Sequence, residues 1–144
     1  MKRMFVYGTL RMGMYNYETY YKDHDSFRCY GYVKGKLCTI NGKKYPALTE
    51  GDRMILGEIH EVPDRVQDEV DRMEGFFGEG RPENEYDKWV RKIYDADGKV
   101  IDRLPVYFYN LRNPANSGTL GDVILCNDYV KYLEEKGQGI TQKE

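Results

Sequence analysis

The chain lacks several features that would assign it to common functional classes. No apolar run approaches the roughly 20 residues of a transmembrane helix, and the first apolar run ends at Leu10, too early for a signal peptide. Its 22 basic and 24 acidic residues give a net charge of -2 without a basic half or stripe, which disfavours nucleic acid as a partner. We therefore expect a cytoplasmic protein that binds neither membranes nor nucleic acid.

Residues that bind metals or act as nucleophiles are also scarce. The three cysteines, Cys29, Cys38 and Cys126, show no Cys-x-x-Cys spacing, so we expect reduced thiols. His24 and His60 have no spacing to a cysteine or carboxylate that is typical of a metal site. Neither serine lies in a nucleophile elbow, and no Gly-rich phosphate loop is present. The sequence thus predicts an enzyme or binding protein without a metal or cofactor.

Length and composition indicate a single globular domain. A chain of 144 residues fits one domain and can bury about two-thirds of its unfolded surface. We predict one domain over residues 1–135 and a loose polar tail over residues 136–144. The 14 tyrosines suit either half-wet pockets or β-strands. The composition is compatible with a monomer or a dimer.

Strand patterns outnumber helix patterns along the chain. Alternating or continuous apolar residues predict strands over residues 4–7, 27–40, 45–49, 54–62, 86–94 and 100–110. Helical spacing predicts helices over residues 15–22, over residues 63–74, and from a cap at Asp122 onward, with Val123, Cys126, Val130 and Leu133 on one face. Hairpin turns are more numerous than crossover helices. The sequence therefore predicts an α+β fold with a mixed, mainly antiparallel sheet and two or three flanking helices.

Glu74 occupies an unusual position at the end of the second predicted helix. With about 100° per residue, Val66, Val70 and Met73 form one apolar stripe and Glu74 lies on its flank. Partial burial and the negative end of the helix dipole should both raise the pKa of this carboxyl group. A general acid/base needs such a shift. The wheel alone leaves open an ordinary solvated glutamate.

A turn after the first strand is the second candidate feature. The strand ends at Tyr7, so the backbone N–H groups of Gly8, Thr9 and Leu10 emerge where pairing stops. Such N–H groups can hold a carboxylate or a developing oxyanion, and glycine allows close approach to the backbone. Strand–Gly–Thr turns are common, so an ordinary structural turn remains an alternative at this point.

Five segments, in order, resemble the γ-glutamylcyclotransferase-like (AIG2-like) family. They are Phe-Val-Tyr-Gly-Thr-Leu at 5–10, Tyr-Pro-Ala-Leu at 45–48, Gly-Glu-Ile at 57–59, Val-Asp-Arg-Met-Glu-Gly at 70–75, and Tyr86 followed by Val-Tyr-Phe-Tyr at 106–109. The resemblance runs from about residue 3 to residue 110. The chain departs from the family in the longer segment before Tyr86, and in Lys88, where an arginine is usual.

The resemblance implies a small curled barrel and a cofactor-free reaction on a small-molecule γ-glutamyl substrate. In that reaction a γ-glutamyl amide releases its amine and closes to 5-oxoproline. Glu74 is the implied general acid/base. The implied substrate-binding residues are Tyr7, Gly8, Thr9, Leu10 and Tyr86, the last of which would orient Glu74 or the substrate through its hydroxyl.

Two further interpretations are compatible with these residues. One is a binding module that keeps the pocket without turnover. The other is an enzyme that removes a γ-glutamyl group during the biosynthesis of a small molecule. The presence of Glu74 favours either enzyme, because a binding module has no need of an acid on that helix flank.

Overall fold

The computed structural model describes residues 1–136. Its strands are β1 (Lys2–Val6), β2 (Phe27–Ile40), β3 (Ala47–Val62), β4 (Tyr86–Tyr94), β5 (Val100–Tyr109) and β6 (Leu120–Val123). Its helices are α1 (Tyr15–Tyr20), α2 (Asp64–Met73) and α3 (Tyr129–Glu135), with a 3-10 turn at Lys22–His24. Apart from its first residue, the predicted tail lies outside the described residues.

The strands form one curled antiparallel sheet. Its order is β1-β3-β2-β4-β5, and β6 pairs with β2. The outer strands β1 and β5 approach each other, and the Tyr7 hydroxyl just beyond β1 donates to the Tyr107 carbonyl at 2.7 Å. Over residues 1–136 these two strands share no ladder, so the sheet curls without closing. The predicted α+β fold is confirmed.

Strand β3 corrects one predicted boundary. The sequence predicted separate strands over residues 45–49 and 54–62, but one bent strand runs through both. The pairing shifts there, from Gly35 opposite Arg53 to Lys36 opposite Thr49, so three residues bulge out. Gly51 packs directly on Gly35, where a Cβ atom would lie 2.9 Å from the Gly35 carbonyl carbon. Because neither glycine has a side chain, the two backbones can pack this closely, and the strand forms a bulge instead of a turn.

The last helix begins later than predicted. Asp122 lies in β6, and Asp128 is the N-cap, accepting a hydrogen bond from the Lys131 N–H at 3.1 Å. The intervening backbone is held by the sheet, because the Ile124 N–H donates to the Leu37 carbonyl at 2.8 Å. The prediction was wrong because both aspartates precede residues with helical apolar spacing.

The core lies inside the curled sheet and under α2. Buried apolar side chains from the strands include Phe5, Ile55 and Phe108, and α2 contributes Val66 and Val70. Within residues 1–136, no helix has the length and apolar character needed to cross a membrane.

Candidate active site

The end of α2 is closed by a Schellman motif that places Glu74 at the C-cap. The Gly75 N–H donates to the Arg72 carbonyl at 3.0 Å, and the Phe76 N–H donates to the Asp71 carbonyl at 2.8 Å. Gly75 has a φ of 71°, which favours glycine. The backbone of Glu74 is therefore fixed by regular helix-ending geometry.

The Glu74 carboxyl group is half-buried, and its pKa is raised from an ordinary 4.5 to about 8. Burial is the main cause, followed by the negative charges of Glu85 and Asp71. The helix wheel anticipated the burial. It did not identify the two neighbouring carboxylates, which come from one turn earlier in α2 and from the residue before β4.

The turn after β1 is tied down by its carbonyl groups and one side chain. The Thr9 carbonyl accepts from the N–H groups of Asn16 and Tyr17, both at 3.1 Å, and the Asn16 amide donates to the Thr9 hydroxyl at 2.8 Å. The N–H groups of Gly8, Thr9 and Leu10 donate to no protein acceptor within residues 1–136. They therefore remain available to an anionic ligand.

A buried polar network under the turn fixes its position. Glu58 is 2% exposed and accepts from the Met12 N–H at 2.9 Å and from Arg11 Nε at 3.0 Å. Its other contact is His60 Nε2 at 2.8 Å, and Arg11 also donates to Asp128 at 2.6 Å. Burial alone would raise the pKa of Glu58, but these hydrogen bonds outweigh it and lower the pKa. The network links the turn to β3 and to the start of α3.

The six predicted site residues lie around one cavity, which we call the turn pocket. It encloses about 320 Å³ of space, part of it open to solvent. Its lining residues are Val6, Tyr7, Gly8, Thr9, Leu10, Tyr45, Pro46, Glu74, Tyr86 and Tyr107. Glu74 and the three turn residues with unpaired N–H groups thus line the same cavity.

The pocket tyrosines are held by backbone carbonyls. The Tyr86 hydroxyl donates to the Pro46 carbonyl at 2.6 Å, as the Tyr7 hydroxyl does to Tyr107. Burial raises the pKa of both phenols well above the ordinary value. The Tyr86 hydroxyl is bonded to Pro46 and not to Glu74, so its observed role is to hold the pocket wall.

The sequence did not identify several members of the site, among them Tyr45, Pro46, Tyr107 and Glu85. The first three of these lie in segments that resemble the family, and this resemblance could have identified them. Pro46 packs on the turn, because a Cβ atom on Gly8 would lie 3.0 Å from Pro46 Cγ and the glycine leaves room for the proline ring. Glu85 ends an irregular loop outside those segments and carried no such signal.

A second cavity adjoins the turn pocket, and we call it the Glu85 pocket. It encloses about 510 Å³, part of it open to solvent. Its lining residues are Thr9, Tyr15, Asn16, Tyr45, Met73, Glu74, Glu85 and Tyr86. Glu74 borders both cavities, as do Thr9, Tyr45 and Tyr86.

Metal-binding geometry is not seen among the described residues, since no three His, Cys, Asp or Glu side chains are grouped to hold an ion. The three cysteines are free. The cavity is lined by Glu74, whose pKa is raised to about 8, and by turn residues with unpaired N–H donors. Such a pair suits proton transfer on an anionic or carbonyl-containing ligand.

Comparison with known proteins identifies the family. The model of the family described as "Gamma-glutamyl cyclotransferase, AIG2-like" matches residues 4–131. The chain belongs to this family of cyclotransferases. A relative from Niallia circulans, the γ-L-glutamyl-butirosin B γ-glutamyl cyclotransferase, is 30% identical over 144 residues, covering 100% of this chain and 85% of that protein.

Solved structures show the same fold at lower sequence identity. A mouse AIG2-like protein superposes with a TM-score of 0.70 at 19% identity, covering 100% of this chain and 97% of its own. An allophanate hydrolase from Kluyveromyces lactis gives a TM-score of 0.66 at 14% identity, covering 95% of this chain and 21% of its own. These likenesses concern the fold alone.

Proposed function

We propose that the protein cleaves a γ-glutamyl amide by intramolecular attack, giving 5-oxoproline and a free amine, with Glu74 as the general acid/base. One observation carries the proposal: Glu74, whose pKa is raised to about 8, lines the same pocket as Gly8, Thr9 and Leu10, whose backbone N–H groups are unpaired within residues 1–136. Family membership supports the reaction class. We place this activity in the cytoplasm, on a small-molecule substrate.

The turn pocket would hold the γ-glutamyl part of the substrate. The N–H groups of Gly8, Thr9 and Leu10 would bind its α-carboxylate or the oxyanion formed at the γ-carbonyl. The rings of Tyr7 and Tyr86 would enclose its aliphatic carbons. Folding the substrate so that its own α-nitrogen meets its γ-carbonyl supplies proximity, which can contribute several kcal/mol.

The substrate provides its own nucleophile, so the protein has to move only protons. Glu74 takes a proton from the α-ammonium, the nitrogen attacks the γ-carbonyl carbon, and the amide C–N bond breaks. Glu74 then delivers the proton that the departing nitrogen needs. Overall the α-nitrogen loses two protons and the leaving amine gains two, so no water or external acid is consumed. The raised pKa suits a group that must both accept and donate near neutral pH.

A second candidate is removal of a γ-glutamyl protecting group late in the biosynthesis of a small molecule. The activity for which the Niallia circulans relative is named supports it, and the same residues would perform the same steps on another amine. A binding module without turnover is less well supported, because binding alone has no use for a carboxyl group held near its ionisation midpoint.

The test is release of 5-oxoproline from a panel of γ-glutamyl amino acids and γ-glutamyl amines. We expect Glu74→Gln to lower kcat/KM by about 100-fold or more, the usual contribution of a general acid/base. Glu69→Gln, on the exposed face of the same helix, is the matched control. Full activity in the Glu74 variant would refute the mechanism, and no turnover of any substrate would refute the function.

A further inference from the structure

The Glu85 pocket has a charge that the proposed chemistry does not explain. Its charged lining residues within residues 1–136 are Glu74 and Glu85, and no lysine or arginine is among them. Lys43 stands 6.0 Å from the centre of the Tyr45 ring but does not line the cavity. Glu74 is assigned to proton transfer. Glu85 is a second carboxylate, half-buried beside it.

The backbone of Glu85 is held in place by three hydrogen bonds. Its N–H donates to the Gly75 carbonyl at 3.0 Å, and its carbonyl accepts from the Asn110 N–H and the Asn116 amide, each at 3.0 Å. One side-chain oxygen accepts from the Tyr45 hydroxyl at 2.7 Å. The carboxylate is thus positioned before any ligand arrives, and its remaining oxygen lone pairs are available for a donor.

The other walls of this pocket suit an aliphatic cation. Its lining residues include Tyr15, Tyr45, Tyr86 and Met73 together with the two glutamates. Aromatic faces attract ammonium groups and pack against methylene chains. A negatively charged ligand would meet the Glu85 carboxylate there, and half-burial limits how far solvent screens that charge.

We propose that the Glu85 pocket receives the leaving amine and selects γ-glutamyl amides whose leaving amine carries a second, distal ammonium group, which pairs with the Glu85 carboxylate. The inference rests on the proposed function, because it needs the scissile amide to lie at Glu74 between the two cavities. It makes Glu85 a specificity-determining residue. It also disfavours γ-glutamyl amino acids, whose leaving amine brings a carboxylate toward Glu85.

The experiment uses three amides that differ only at the end of one chain. They are the γ-glutamyl amides of pentylamine, of the corresponding terminal diamine and of the corresponding ω-amino acid. We expect kcat/KM for the diamine amide to exceed that for the pentylamine amide by about tenfold, and that for the amino acid amide by more. Raising the salt concentration should shrink the preference.

Two variants test whether the preference for the diamine amide depends on Glu85. Glu85→Gln keeps the size of the side chain and should reduce the diamine-to-pentylamine ratio to near one. Glu79→Gln makes the same charge change at an exposed position of the same loop and should retain the ratio. Turnover of all three amides with equal kcat/KM, or a ratio that survives in Glu85→Gln, would overturn the inference and leave the cyclotransferase function standing.

Binding separates a failure of the inference from a failure of the proposed function. If no amide turns over, the cyclotransferase function is wrong. Calorimetric titration of the three amides into Glu74→Gln still decides the role of Glu85. Tighter binding of the diamine amide, lost in the Glu74→Gln, Glu85→Gln double variant, would support it, and equal binding or none would overturn it.

Discussion

Gly75 and Glu85 lie so close together that a Cβ atom on Gly75 would stand 2.9 Å from the Cβ of Glu85. The loop that leaves α2 at Gly75 therefore returns to the same point before entering β4. One glycine both ends the helix, with a φ of 71°, and leaves room for the acid that borders the second pocket.

Replacing Gly75 should lower the free energy of unfolding. Gly75→Ala forces an L residue into a left-handed conformation and pushes its methyl group against Glu85, so we expect a loss of about 2–3 kcal/mol. Gly80→Ala is the control, since Gly80 in the same loop has a φ of 76° but nothing within 4 Å of its added Cβ. The control should lose about 1 kcal/mol. Urea unfolding of both variants measures the difference, and equal losses would show that the close approach carries no cost.

The raised pKa of Glu74 makes stability depend on pH. The folded-state pKa of about 8 lies above the ordinary 4.5, so the native state binds the extra proton and loses stability as pH rises between these values. Glu74→Gln removes this loss. We expect the variant to match the wild type at pH 4 and to be more stable by about 1–3 kcal/mol at pH 9, after allowing for partial screening. A thermal melting series across this range measures it, and a constant difference at all pH values would contradict the assignment.

The acidic limb of the rate profile should report the same group. A base must be ionised to accept the α-ammonium proton, so kcat/KM should fall as the pH drops through about 8, where Glu74 takes up a proton. Because the charge of Glu85 contributes to raising that pKa, Glu85→Gln should move the limb to lower pH. Glu79→Gln serves as the exposed control. An unmoved limb in the Glu85 variant would show that the two carboxylates are not coupled.

Tyr86→Phe tests whether the hydroxyl holds the wall or takes part in the chemistry. Loss of its bond to the buried Pro46 carbonyl should cost about 1–2 kcal/mol of stability. Tyr30→Phe, at an exposed position, should cost less than about 0.5 kcal/mol. We expect the Tyr86 variant to lose activity mainly through a higher KM. A drop in kcat as large as that of Glu74→Gln, with stability unchanged, would instead assign the hydroxyl a direct role.

Most of the fold could be read from local patterns. The apolar alternation in β2 and the helical spacing of Val66, Val70 and Met73 in α2 each predict an element from residues that are close together in the chain. The errors arose where contacts with backbone distant in the sequence determined the local conformation. Gly51 sits in a bulge because it packs on Gly35, and residues 120–123 form a strand because β2 offers them a partner.

The candidate site divides in the same way. The apolar stripe of Val66 and Val70 predicted that Glu74 would be partly buried, because the stripe and Glu74 belong to the same helix. The Glu85 carboxylate belongs to a segment without periodicity, and its place depends on bonds from Asn110 and Asn116, far along the chain. No helix wheel or strand pattern can report such a contact.

Asn84 has a consequence for how this protein can be altered. Its side chain is fully buried and bridges the Phe77 N–H at 2.7 Å and the Gly78 carbonyl at 2.8 Å. Along the loop, Asn84 and its two hydrogen bonds lie between Glu85 and the exposed tip at residues 79–83. We therefore expect changes in the length of the outer part of that tip, residues 79–81, to leave the pocket wall in place. This tip is where an affinity tag or a reporter domain could be inserted, and where evolution could lengthen the loop while leaving the chemistry in place.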